Sequence, residues 1–158
     1  MSGLAIDDAM LALLQDRASI LVGTRDAQRQ PHVMRAVGCR VSDDRRRVTL
    51  LMTARTSRQV LDDLRADGAI AVVFSVPSSH RTVQLKGDDA VVGASEPGDL
   101  VLADAYARRF ADELAALGYP AMLAHAILDR EGSELVAVSF TPREAYDQTP
   151  GPQAGRPL

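Results

Sequence analysis

"VTLLMTARTSRQVLDDLRADGAIAVVFSV", residues 48–76, decides how this chain folds. Residues 48–53 are apolar and β-branched, as a buried strand requires. A polar cluster, "TARTSR", follows. Val60, Leu61 and Leu64 then recur at helical spacing, which predicts a helix over 57–66. Gly68 in "ADG" suits the left-handed position that ends a helix. "AIAVVFSV" (69–76) is a continuous apolar run of strand length, expected to be buried on both faces.

The same reading extends in both directions. Residues 4–16 form a helix with Ile6, Met10, Leu13 and Leu14 on one stripe and Asp7 and Asp8 at its positive end. "ASILVGTRD" (18–26) and "HVMRAVGCRV" (32–41) are strands. In the second, Val33, Arg35, Val37, Cys39 and Val41 share a face. "SDDRRR" is a hairpin loop leading to the strand at 48–53. Residues 81–94 form a long strand in which Gly87 marks a bend or bulge. Residues 97–117 form a long helix with Leu102, Tyr106, Phe110, Leu114 and Leu117 on one face, and 133–142 the last strand. The short connections favour antiparallel hairpins over crossovers. The expectation is a mainly β domain over 1–147, a six-stranded antiparallel barrel with flanking helices. A Pro/Gly-rich tail at 148–158 carries no regular element.

Composition narrows the function classes. The chain has 158 residues, 46% of them hydrophobic, and no run long enough to span a membrane. A net charge of −3 gives no drive toward nucleic acid. Residues 1–87 carry 13 Lys/Arg and 9 Asp/Glu, a net of +4, whereas 88–158 carry 5 and 12, a net of −7. A basic first half is compatible with a small anionic ligand, or with chance. A single cysteine, Cys39, excludes an internal disulfide, and the acidic start lacks the basic region of a secretion signal. A cytoplasmic protein is the simplest expectation.

The polar cluster at 53–58 has two readings. Thr56 with Gln59 makes a T-x-x-Q capping box, worth about 1 kcal/mol. That leaves Thr53, Arg55, Ser57 and Arg58 unexplained. The first helical turn offers free N–H groups and positive dipole, a place for an anion and a poor one for an uncompensated arginine. A phosphate held by Arg58, the Ser57 hydroxyl and backbone N–H groups resolves that conflict.

Order and residues together resemble the FMN-binding split barrels related to pyridoxamine 5′-phosphate oxidase, over about residues 15 to 95 and more weakly through the last strand. The resemblance implies that "RAVG" (Arg35, Ala36, Val37, Gly38) lies along the flavin and its ribityl chain. It puts the strand end Met52–Thr53 against the ring. It gives Ser57, Arg58 and Gln59 the flavin phosphate, and sets Thr82 in "RTVQLKG" where the family has a cofactor-touching glutamine. It further implies a split barrel, FMN as cofactor, and a homodimer with the flavin between the two copies. Four departures stand against it. Gln59 replaces a lysine, Thr82 replaces the glutamine, Met52 is not aromatic, and no Arg/His segment for pyridoxal phosphate follows. Pyridoxamine phosphate oxidation is therefore not part of the expectation.

Two function classes remain. One is a flavin-dependent oxidoreductase acting on a small molecule, with NAD(P)H or another reductant as electron donor and no side chain required as catalytic acid. The other is a non-catalytic flavin-binding stress or sensor protein, or a split barrel loaded with deazaflavin F420 or haem. His32, His80 and His125 fit no metal-ligand spacing. Cys39 reads as a buried, inert thiol, and Asp62/Asp63 and Asp88/Asp89 as solvated edges.

Overall fold

The computed structural model describes residues 4–158, so the first three residues of the expected 1–147 domain, with the start of its acidic N-terminus, lie outside the described residues. Four helices and ten strands follow one another along it. They are α1 (Asp8–Gln15), β1 (Ser19–Arg25), β2 (Pro31–Arg35), β3 (Gly38–Val41), β4 (Val48–Thr53), α2 (Arg58–Asp67) and β5 (Ile70–Ser75). Then come β6 (Thr82–Gly87), β7 (Val91–Ala94), α3 (Asp99–Ala116), α4 (Ala121–Ile127), β8 (Leu135–Phe140), β9 (Glu144–Asp147) and β10 (Arg156–Pro157). The strands form two antiparallel sheets, a large one in the order β10-β9-β6-β5-β1-β2 and a small one in the order β3-β4-β8-β7. The mainly β, antiparallel architecture with flanking helices is as expected. The six-stranded barrel is corrected: no ladder among the described residues joins the two sheets into a closed cylinder.

The difference lies in three corners where the chain changes sheet. "HVMRAVGCRV" is not one strand. The Ala36 N–H donates to the Ile20 carbonyl of the large sheet (3.1 Å), and the Val37 N–H donates to the Leu51 carbonyl of the small one (2.7 Å). The shared face therefore breaks at residue 36: Val33 is exposed, while Val37 and Cys39 are buried. Residues 81–94 likewise divide, after Gly87, into β6 of the large sheet and β7 of the small one. A Cβ on Gly87 would lie 2.8 Å from Phe140 Cδ2 and 2.9 Å from the Thr141 carbonyl, so the passing corner requires a glycine. At the third corner, Thr141–Arg143, the last expected strand ends as β8 and the chain passes to β9, a strand beyond the expected 133–142, where the Arg143 N–H donates to the Lys86 carbonyl (2.8 Å).

The core fills the space between the sheets. Phe74, Ile20 and Leu85 of the large sheet face Phe140, Leu50 and Val138 of the small one, all fully buried. The strand buried along its whole length is β4, not β5. In β5, Ile70, Val72 and Phe74 point inward, while Ala71, Val73 and Ser75 lie half-exposed on the outer face. Tyr106, Phe110 and Leu114 anchor α3, with Tyr106 stacked on Phe110 at 5.9 Å, whereas Leu117 is exposed. Helix α4 is absent from the expectation: it has only seven residues, Ala124 is its buried one, and Met122, Leu123 and Ile127 stay exposed. The tail also departs from expectation: β10 pairs with β9 of the same chain, Arg156 opposite Asp147. No helix of the described residues is long and apolar enough to cross a membrane.

Candidate functional site

The N-terminus of α2 is built by the end of β4. The Ala54 N–H donates to the Glu134 carbonyl (2.8 Å) and the Ser57 N–H to the Thr53 carbonyl (3.1 Å), which turns the chain into the helix. The residue at the cap position is Ser57, and the expected Thr56–Gln59 box does not form. The Thr56 hydroxyl bonds to that of Thr53, and the Gln59 amide donates to Asp63 (3.3 Å). Ser57 itself does not cap. Its backbone (φ −99°, ψ 10°) lacks the extended conformation that aims a hydroxyl at the first-turn N–H groups. Its Oγ is buried and has no hydrogen-bond partner among the described residues. Such an orphan costs about 1–3 kcal/mol. The first turn of α2 carries no acidic residue, and Arg58 within it is exposed. Arg55 is turned away, its guanidinium on the Glu131 carbonyl (3.4 Å).

A buried carboxylate fixes the middle of this helix. Asp63 is only 4% exposed, which corrects its reading as a solvated edge. Its Oδ2 accepts from the Thr24 hydroxyl (2.7 Å) and pairs with His32 Nδ1 (2.8 Å). Burial pushes the carboxyl pKa up, but the hydrogen bonds from Thr24, His32 and Gln59 outweigh it and hold the group below its ordinary range. The cluster ties α2 to the inner face of β1 and β2.

The other expected site residues fall into two groups. Ala36, Val37 and Gly38 form the buried corner beside the end of β4, where Thr53 is also buried and the Met52 side chain is wholly inside the core. Arg35 and Thr82 mark one end of the large sheet. The Arg35 guanidinium donates to Ser19 Oγ (2.5 Å) and lies 5.8 Å from the centre of the Phe110 ring. Thr82 Oγ1 shares a hydrogen bond with Ser75 Oγ (2.7 Å), and Ser75 is the register partner of Ser19. Ser19, Ser75, Thr24 and Asp63 carry no local motif, so the spacing of residues did not single them out. Cys39 is buried, and that burial pushes its thiol up to about 12 with weak opposition from Arg40, so it is inert at neutral pH. No metal-binding cluster is present among the described residues.

No family model matches the chain, and no curated protein matches its sequence. Solved structures do. The chain is similar to HupZ of Group A Streptococcus, with 18% identity over 95% of this chain and 99% of that one and a TM-score of 0.59. It is similar to a Lactobacillus delbrueckii protein assigned by name to pyridoxamine 5′-phosphate oxidase, with 16% identity, 92% and 95% coverage and a TM-score of 0.55. The fold is pyridoxamine 5′-phosphate oxidase-like. An F420 reductase shares it as well, at 13% identity, 85% and 93% coverage and a TM-score of 0.54.

Proposed function

We propose that this chain binds FMN as a homodimer and is an oxidoreductase for a small molecule, with NAD(P)H or another reductant as electron donor. The observation that carries the reading is the Ser57 hydroxyl, buried and unpartnered at the N-terminus of a ten-residue helix. A phosphate there receives that hydroxyl, the free N–H groups of the first turn and the exposed Arg58 guanidinium. The backbone of Ala36, Val37 and Gly38 would lie along the ribityl chain and ring, and Arg35 and Thr82 would mark the far edge. When bound, FMN supplies the hydride chemistry, and the protein holds and orients it.

The outer face of the large sheet supports the dimer. Leu21 and Val33 are exposed there, beside the half-exposed Val73. One observation favours a second reading, a flavin-binding protein without turnover or a barrel loaded with deazaflavin F420 or haem. The Gln59 amide is tied to Asp63, which leaves Arg58 as the one charge in the first turn. An absorbance spectrum of the purified protein tests both. A flavin band near about 450 nm is the expected result, and a band near about 420 nm or a sharp Soret peak replaces FMN with the other cofactor. NAD(P)H oxidation by the FMN-loaded protein then separates enzyme from carrier.

A further inference from the structure

At the opposite end of α2 a second cleft opens, about 560 Å³ in volume. It is separate from the phosphate site: α2 has ten residues, so its two ends lie roughly 15 Å apart. That volume is within the range of small-molecule sites, roughly 300–1,000 Å³. Its floor is made of small residues, chiefly the register partners Gly23 and Ala71. Nothing in the fold demands glycine at 23. Its φ is not in the left-handed region, and a Cβ there would meet only the Ala71 carbonyl at 3.6 Å, an ordinary contact. A glycine inside a strand weakens it by roughly 0.5–1 kcal/mol relative to alanine, and such a position often marks the close approach of a ligand.

The rim is cationic on a protein whose net charge is −3. Four basic side chains line the cleft against two carboxylates. Arg143 is paired with Asp88 (2.6 Å) and Arg25 with Asp67 (3.6 Å). Arg29 and Lys86, the single lysine of the chain, have no ion pair among the described residues. The Lys86 ammonium lies 4.9 Å from the centre of the Tyr146 ring on the neighbouring strand. Arg29 adopts φ 63°, a conformation that asparagine or glycine holds more easily, so the turn carries an arginine against its backbone preference.

We infer that this cleft binds a small organic anion with a flat apolar body, of the aryl or short acyl carboxylate class. The body lies on the Gly23–Ala71 floor, and the carboxylate meets Arg29 and Lys86. The inference does not need the flavin, but its floor adjoins the proposed dimer face, since Gly23 is the register partner of Val33, so the cleft has to stay open at the edge of that interface.

The test is calorimetric titration of the full chain with 1-naphthoate, and with 2-naphthalenemethanol as its uncharged counterpart. The expected result is saturable uptake of one naphthoate per chain and much weaker uptake of the alcohol. Arg29→Gln with Lys86→Gln weakens naphthoate by about tenfold or more and brings the two probes together. Gly23→Leu fills the floor and abolishes uptake of both, with thermal unfolding confirming that it is folded; if it is not, the charge variant decides alone. Arg58→Ala leaves the naphthoate titration unchanged. Absence of uptake at millimolar naphthoate overturns the inference, as it does if a second copy of the chain fills the cleft. Uptake that the Arg29/Lys86 variant leaves unchanged also overturns it.

Discussion

His32 Nδ1 and Asp63 Oδ2 stand 2.8 Å apart, joining the second strand to the middle of α2 across 31 residues of sequence. With Thr24 on the same oxygen, the pair holds the helix whose first turn presents Ser57 and Arg58. Removing the carboxylate leaves the Thr24 hydroxyl without its buried acceptor. Asp63→Ala is expected to cost about 1–3 kcal/mol in urea denaturation at pH 7.

The same group predicts an acid limb. The folded pKa of Asp63 is depressed, so its contribution is fully present above the unfolded value of about 3.9 and is lost as pH falls through the folded value. Stability of the wild type minus that of Asp63→Asn should therefore shrink as pH falls below about 4. Denaturation curves across that range check it, and a difference that grows on acidification contradicts the assignment.

Ser57 and Arg58 predict opposite signs on fold and ligand. Ser57→Ala removes a buried orphan, so the ligand-free protein should gain stability while FMN binding weakens. Arg58→Ala should weaken FMN by about 1.5–3 kcal/mol, roughly ten- to a hundredfold, and leave riboflavin, which has no phosphate, unaffected. Thr56→Ala, which removes no cap, should cost less than the roughly 1 kcal/mol of a true N-cap. Fluorescence titrations with both flavins, beside melting curves, read all three.

These variants also show what was legible beforehand. Gly68 announced the end of α2 because only a residue tolerant of φ 70° closes a helix that way. The polar start at 53–58 is visible as a conflict of charge with dipole, but neither Thr56 nor Ser57 caps the helix with its hydroxyl. Composition does not encode the non-extended backbone of Ser57, which keeps its hydroxyl off the first-turn N–H groups. Asp63 looked like surface because both its strongest partners, Thr24 and His32, lie more than thirty residues away. The corner at Ala36–Val37 holds no proline and its glycine, Gly38, comes only at its far side, so the alternation of Val33, Arg35, Val37, Cys39 and Val41 reads straight through it.

The dimer face predicts a surface variant. Val33 is 60% exposed on the outer face of the large sheet. Val33→Asp should leave secondary structure intact and shift the mass seen by light scattering from dimer to monomer, with loss of FMN affinity. A wild type that is monomeric at micromolar concentration rejects the dimer itself.

The tail should matter to its own subunit. The Gln148 N–H donates to the Thr82 carbonyl (2.8 Å), the Thr82 N–H donates to Thr149 Oγ1 (3.0 Å), and the Leu158 N–H donates to the Ala145 carbonyl (2.9 Å). Deleting 148–158 removes all three and is expected to cost about 2–4 kcal/mol, whereas deleting 151–158 spares the first two and costs less. Equal melting temperatures for both truncations and the full chain would refute this.

The corner at Ala36–Val37 has a consequence for how the molecule comes apart. Neighbouring amides there belong to different ladders, one bound to Ile20 and the next to Leu51. Neither sheet can fray at that edge without loosening the other. In hydrogen exchange, the Ala36 and Val37 protons should therefore exchange together with those of the core strands, as one cooperative unit. The chain's most buried joint then behaves as a latch between two sheets that share no rung.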